Sequence, residues 1–563
     1  MSPPRTYGQL HFDINKKLWV ISGTQPHIAL RIKDIFRRVS KVASGEFHFA
    51  ADDLHCHELL WFCERYPLEI SKLDLARLKR GRKQFHKDIE AAEVVFTPKF
   101  SPPKYVGIRE GYELWKEQAQ AVELFRIKRR LLLGDEVGCG KTNTAIGCML
   151  DPSMLPALVI VQAHLPEQWE ERIEDFSTLR PHIIKSVAPY KLPEADVFII
   201  SYSKLSGWTD IFETGYFKSV IIDEPQELRN GLETNKGAAA DKVCSKAECV
   251  LGLTATPVMN YGIDMFKVLQ FIKPGLLGTQ DEFLREWCEG STNMVKDTQA
   301  LGAYLREQQV LLRRTEEEFG IRMPPPNVTT YTVEYDQEVA SKSEDLAVQL
   351  AMKATTGSFV QRGRAYRELD MLSRLTTGVA KAKSVAQYVK ILLESDLQVL
   401  LAGWHRDVYD IWLNELKAYS PVLYTGSETR KVKRLSKEMF VTRKSPLMII
   451  SLRSGAGLDG LQHGCRDVVI GELDWSPPIH KQLIGRLRRN GQMKQVNAHF
   501  MIANGGSDPL MVEVLGLKAS QSQGIMDPFM APQETMNDES RMKRLAELVL
   551  ARRQMAQVSA VAA

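Results

Sequence analysis

The segment RLLLGDEVGCGKTNTAIG at 130–147 constrains this chain more than any other, because it sets a strand, a glycine-rich loop and a helix end to end. Leu131, Leu132 and Leu133 read as the strand, 134–140 as the loop, and Lys141 as the start of the helix. Gly138 and Gly140 let the backbone curl so that its amides converge, and the positive end of the helix adds to the field there. Such a loop cradles phosphate oxygens. Lys141 would place its charge against the β- and γ-phosphates of a nucleotide, and Thr142 could ligate Mg²⁺. Gly138, Cys139, Gly140, Lys141, Thr142 and Asn143 are therefore the expected nucleotide-binding residues. The strict GxxxxGKT pattern fails at one position, where Asp135 takes the place of the first glycine.

A unit of this kind needs a parallel sheet around it, and the chain supplies strands in two sets. RLLLG, ALVIVQ, DVFIIS, SVIIDE and CVLGLT recur between helical stretches from about 105 to 325. QVLLAG, PVLYTG, LMIIS, DVVIGE and NAHFMI follow the stiff connector MPPPN at 323–327. Continuous apolar runs mark strands covered by helices on both faces. With 563 residues the chain is too long for one core. The expected fold is α/β: one lobe at 101–325, a second at 326–520, a small α+β N-terminal domain at 1–100, and a partly helical tail at 521–563. Within the first hundred residues, LHFDINKKLWVI alternates apolar and polar positions around a turn at 15–17, which predicts a hairpin. Ile28, Ile32, Ile35 and Val39 follow helical spacing.

Composition narrows the class. Hydrophobic residues at 44% and charged residues at 25% suit an ordinary globular protein, and a net charge of +5 permits a polyanionic partner without requiring one. No apolar run approaches the roughly 20 residues that span a bilayer, and the N-terminus has no apolar signal core. A cytoplasmic setting is expected. The eight cysteines form no CxxC pair, so free thiols are expected. His55, Cys56, His57 and Cys63 lack a second spaced pair and read as a helix face rather than a zinc site.

Asp223 and Glu224 end the apolar strand of SVIIDE, at the sheet edge where ligands bind in open α/β folds. Asp223 would hold the metal and Glu224 would polarise the attacking water. Gln118 either reads the adenine edge through its amide or is a surface residue of an amphipathic helix. Thr254 and Thr256 follow a strand directly and could link the nucleotide site to the other lobe. SLRSGAGLDGL at 451–461 is a glycine-rich turn suited to close backbone approach. Arg486 and Arg489 sit three apart on one helix face, where two guanidiniums can reach a γ-phosphate across a cleft. Arg488 beside them reads as part of a basic face.

In this order the segments resemble the superfamily-two helicases, and within them the Swi/Snf-type DNA translocases. DEVGCGKT resembles that family's DExGxGKT loop, which accounts for Asp135. PALVIVQAHLPEQW, LTATPVMN, LLRRTEEEFGIRMPP, DWSPP and QLIGRLRRNGQ resemble its further motifs, over about 110–500. The resemblance implies two RecA-like lobes with ATP and Mg²⁺ between them, and catalytic roles for Lys141, Asp223, Glu224, Arg486 and Arg489. Gln162, Trp169, Ser201, Tyr202, Thr425, Gly426 and Ser454 lie in segments where the family touches a nucleic-acid backbone. Arg77, Lys79, Arg80, Arg82, Lys83 and Lys87 either extend that path or form a solvated helix face. Two sites depart from the pattern: Pro225 and Gln226 replace Ala-His, and Gly485 replaces Asp. Long insertions are missing, as in a compact prokaryotic or viral relative. The expected function is an ATP-driven translocase on duplex DNA, with RNA a weaker candidate. A strand-separating helicase is the second reading. A binding regulator with a dead ATPase is the third, against which stand the retained lysine, acid pair and arginines.

Overall fold

The alternating stretch near the N-terminus forms the hairpin its pattern predicts. In the computed structural model, β1 (Gln9–Asp13) and β2 (Leu18–Ser22) pair antiparallel, with Asp13 opposite Leu18. Asp13 Oδ1 closes the turn by accepting from the amides of Asn15 and Lys16 at 2.9 and 3.0 Å. With β3 (Glu46–Ala50) and β4 (Glu69–Ile70) they make a sheet ordered β3-β2-β1-β4. Helices Pro26–Ile35, Asp53–Arg65 and Lys72–Val95 accompany it, around a core that includes Trp19, Phe47 and Phe62. His55 Nδ1 lies 2.7 Å from Asp52 Oδ1, and His57 stacks on Phe85. Within the basic stretch, Arg77 lies over the Phe12 ring at 4.1 Å and Arg82 pairs with Glu64 at 2.6 Å. Lys79, Arg80, Lys83 and Lys87 are exposed.

The structure describes residues 6–36, 39, 42–256, 262–289, 294–321, 323–356, 359–452, 458, 460–489, 491–512 and 550. The expected helix over RMKRLAELVLARR thus lies outside the described residues, apart from Leu550, which packs on the second lobe's core.

Seven strands build the first lobe: β5 (Arg130–Leu133), β6 (Ala157–Val161), β7 (Pro181–Ile183), β8 (Val197–Ser201), β9 (Ser219–Asp223), β10 (Cys249–Leu253) and β11 (Leu311–Leu312). Their order is β11-β5-β10-β9-β6-β8-β7, and every pairing is parallel. Every residue of β6, β8 and β10 is buried, as continuous apolar runs require. Separate apolar clusters, one around Phe266 and Phe271, the other around Phe125 and Ile146, pack against the sheet.

The second lobe repeats the plan with β12 (Asn327–Val333), β13 (Val399–Gly403), β14 (Val422–Tyr424), β15 (Leu447–Ser451), β16 (Asp467–Ile470) and β17 (Asn497–Ala503). Order β12-β17-β16-β13-β15-β14 is again wholly parallel. Both lobes are α/β units of the RecA-like kind, a parallel sheet flanked by helices. No helix among the described residues is long and apolar enough to cross a membrane.

Sheet order positions the chemistry. The phosphate-type loop leaves β5 and the acid pair ends β9, and β10 alone separates them. Both therefore reach solvent at the same C-terminal edge.

Candidate active site

The loop after β5 adopts the curl its glycines allow. Gly138 and Gly140 have φ of +95° and +71°, a region where a side chain would strain the backbone. Gly140 caps the helix Lys141–Met149, whose first amides face out of the loop. Lys141 Nζ donates to the carbonyls of Asp135 and Glu136 at 2.7 and 2.9 Å, which holds the ammonium inside the curl. Burial pushes this lysine's pKa down, while the Glu224 and Asp135 carboxylates oppose the shift.

Asp135 has a structural reason as well as a family precedent. Its side chain is wholly buried, and its oxygens accept from Arg314: Oδ1 from the amide and Nε at 3.0 and 3.1 Å, Oδ2 from Nη2 at 2.5 Å. Arg313 supports the same turn, donating to Gly134 O at 3.0 Å and to Glu136 Oε1 at 3.1 Å. The segment after β11 thus braces the loop from below. Sequence reading quoted these two arginines only as part of a family likeness. A buried acid that lacks a local cation was the signal that they were needed.

Gln118 is only 1% exposed, which overturns its reading as a surface glutamine. Its Oε1 accepts from Trp115 N at 3.0 Å, and its Nε2 donates to Cys139 O at 3.1 Å, so it ties the preceding helix to the loop. Cys139 is buried, and burial pushes its thiol up to about 12, which leaves only its backbone for a phosphate. Asn143 Oδ1 accepts from Arg172 Nε at 2.8 Å and links the loop helix to its neighbour.

The acid pair sits opposite. Glu224 has a left-handed backbone, φ +56°, and its amide donates to Leu253 O at 2.8 Å. Asp223 Oδ2 accepts from Trp169 Nε1 at 2.9 Å, and Tyr202 OH donates to the carbonyls of Asp223 and Glu224 at 2.8 and 3.1 Å. Both aromatics were expected on the nucleic-acid path. The structure turns them inward, at 3% and 7% exposure, Trp169 from within the helix Pro166–Phe176 and Tyr202 from the end of β8, both onto the acid pair. Burial pushes the Asp223 carboxyl up to about 7 and Glu224 adds to the shift, against pulls from Trp169, Lys141 and Arg486. Gln226, one of the two departures after the pair, donates to Glu224 Oε2 at 2.5 Å.

Across the cleft, the helix Pro477–Leu487 brings Gln482, whose Nε2 lies 3.5 Å from Glu224 Oε1 and 3.4 Å from Thr256 Oγ1. Thr254 Oγ1 in turn accepts from Thr256 N at 2.9 Å. Arg486 lines, with Gln162, Tyr202, Gln226 and Gln482, a cavity of about 640 Å³ between the lobes. Arg489 Nε donates to Gly485 O at 3.1 Å. Gly485 itself explains the second departure: a Cβ there would stand 2.8 Å from Val137 Cγ1, so the helix rests directly on the loop.

The remaining expected contacts divide. Ser201 is buried beside Ser203, with 3.1 Å between hydroxyls, and Thr425 is buried with its hydroxyl 2.9 Å from Glu428 Oε1. Gln162 Nε2 lies 3.4 Å from Glu227 Oε1 at the cleft, and Gly426 is exposed. Ser454 lies outside the described residues.

The family described as SNF2-related domain matches residues 59–375. The mouse (Mus musculus) protein named DNA annealing helicase and endonuclease ZRANB3 is 26% identical over 442 residues, covering 70% of this chain and 39% of that protein. An uncharacterized ATP-dependent helicase of Mycoplasma pneumoniae is 25% identical over 403 residues, covering 66% of this chain and 38% of its own length. The chain thus spans less than two fifths of these two relatives, 39% and 38%. Among solved structures, the Sulfolobus solfataricus SWI2/SNF2 ATPase core in complex with dsDNA aligns with TM-score 0.38 and 21% identity, over 76% of this chain and 96% of that one.

Proposed function

The chain belongs to the SNF2-related family of nucleic-acid-dependent ATPases, and from that premise we propose that it is a motor that hydrolyses ATP between its lobes and moves along duplex DNA without separating the strands. One observation carries the reading. Gln482 of the second lobe stands 3.5 Å from Glu224 Oε1, and Arg486 of the same helix lines the cavity beside the acid pair, so groups from both lobes converge on one cleft.

The roles follow from placement. Loop amides and Lys141 hold the β- and γ-phosphates. Asp223, with one oxygen held by Trp169, and Thr142 are the oxygen donors that would hold Mg²⁺, which would supply charge neutralisation at the phosphates. Glu224, oriented by Gln226, positions the attacking water. Arg486 and Arg489 compensate transition-state charge from the second lobe, so hydrolysis is fast only when the lobes are together. Gln118 then seats the nucleotide at the adenine end, through the helix it anchors to the loop.

On the DNA side, exposed Gly426 precedes the helix Arg430–Val441, which presents Lys431 and Arg434 to solvent. Contacts of this kind track phosphates rather than base edges. Similarity to a relative named for DNA favours DNA over RNA. The test is ATPase activity with duplex, single-stranded and branched DNA and with RNA. Strong stimulation by duplex DNA is expected, and stimulation by RNA alone would overturn the reading.

A further inference from the structure

We propose that Arg488 is a positioning residue that clasps the second lobe onto the phosphate loop through Glu316, and so sets where Arg486 and Arg489 stand. The proposal rests on the reading of those two arginines as the groups that act on the γ-phosphate.

Arg488 follows the last turn of the helix Pro477–Leu487, its amide donating to Ile484 O at 3.0 Å. Its guanidinium forms an ion pair with Glu316, Nη1 to Oε2. Nε and Nη2 donate to the carbonyls of Pro324 and Met323, each at 3.0 Å. A planar guanidinium is the one side chain that can serve three acceptors in fixed directions. All three belong to the segment that leaves the first lobe, one on the loop brace and two on the connector.

Glu316 carries the contact to the chemistry. Its amide donates to Glu136 Oε2 at 2.9 Å, and its Oε1 comes within 3.5 Å of the place a Cβ would occupy on Gly138. Burial pushes the Glu316 carboxyl up, and Arg488 pulls it back more than any other neighbour. Without Arg488, a buried carboxylate would keep only the weaker pull of Arg313 beside a loop built for phosphate.

The helix and its capping residue therefore meet the loop and its brace at two points three residues apart, Gly485 on Val137 and Arg488 on Glu316. Gln482 and Arg486 occupy the adjacent face by helical spacing, and Arg489, which the sequence placed on that face, lies past the helix end and is tied to it through Gly485 O. Fixing the first pair of contacts fixes the rotation of the helix, and with it the direction of the second face. Opening the cleft must break the ion pair and release both connector carbonyls.

A double-mutant cycle on the full chain tests this, with ATP turnover measured at saturating duplex DNA. Arg488→Ala and Glu316→Gln should each lower kcat about tenfold while KM for ATP stays within about twofold, because neither residue touches nucleotide. The double variant should be no worse than either single one. Arg488→Lys, which keeps a charge opposite Glu316, should recover most of the turnover. Dyes at Lys191→Cys and Lys417→Cys, exposed sites on the two lobes, should report a smaller closed population in Arg488→Ala with ATP. Losses that multiply in the double variant, or turnover unchanged in both single ones, would overturn the clasp. Arg489→Ala serves as the control. If it abolishes hydrolysis while the cycle shows no coupling, the arginine reading stands and the clasp alone fails. If it hydrolyses ATP normally, the reading fails and takes the clasp with it.

Discussion

Asp135 fills the position where a strict phosphate-loop pattern has glycine, and both its oxygens bind Arg314. Their side chains are 1% and 7% exposed. Breaking such a pair leaves one charge without water or partner, whereas replacing both partners by apolar residues is often nearly neutral. Asp135→Ala should therefore destabilise the first lobe by roughly 3–5 kcal/mol, read as a lower urea midpoint. Asp135→Leu combined with Arg314→Met should return most of that loss. Equal loss in the single and double variants would show that the charge is not what matters there. Gly485 offers a test of a different kind. Its Cβ would lie 2.8 Å from Val137 Cγ1, so Gly485→Asp must displace the helix and bring a carboxylate toward the phosphates. We expect kcat/KM for ATP to fall about 100-fold. A variant that matched the parent would mean that the lobes do not approach this closely during turnover.

The helix Pro477–Leu487 is held from behind as well as from the cleft. His480 Nε2 accepts from Asp474 N at 3.1 Å, and its ring meets Phe500 edge to face at 5.4 Å. Burial is the main cause that lowers its imidazole from 6.5 to about 4; Arg374 adds to it and Asp474 opposes it. Between those values the unfolded chain binds the proton that the folded one refuses. His480 thus contributes stability in full above about pH 6.5, and that stability is lost as pH falls toward 4. The difference is worth roughly 3 kcal/mol. Thermal melting of the second lobe should drop between pH 7 and 5, and His480→Gln, which keeps an acceptor for Asp474 N, should flatten the drop. An unchanged slope would remove His480 as its cause. Elements of this kind were readable in the sequence to different depths. Runs such as ALVIV and CVLGL declare themselves, since a strand buried on both faces must be apolar throughout. The loop and acid pair were legible for a similar reason, each being local to one strand end. Residues that act across the chain were not. Asp135 meets Arg314 from 179 positions away, and Gln482 meets Glu224 from 258. The inward turn of Trp169, from a helix, and of Tyr202, from a strand end, was not legible either, because a motif places a residue near an edge without fixing where its side chain points.

At the scale of the molecule, the question is what lobe closure does to DNA. On the proposed reading each half of the ATP site is incomplete alone: the loop and acid pair belong to one lobe, the arginines to the other, and the connector carbonyls at 323 and 324 are gripped by Arg488. Closure would then be linked to nucleotide state, and a lobe that held a phosphate backbone while the other released would step along it. Separating strands requires something more, an element inserted between bases, and such a wedge reads bases by stacking. The exposed basic residues Lys431 and Arg434, beside Gly426, suit backbone contact instead. We therefore expect ATP-driven displacement of a triplex-forming third strand from duplex DNA, lost in Lys141→Ala together with hydrolysis. Fork unwinding by the same preparation should be slow or absent. Efficient unwinding of a tailed duplex with no triplex displacement would make the protein a helicase and leave the ATPase assignments in place. Triplex displacement that survives Lys141→Ala would instead break the link between the cleft and movement.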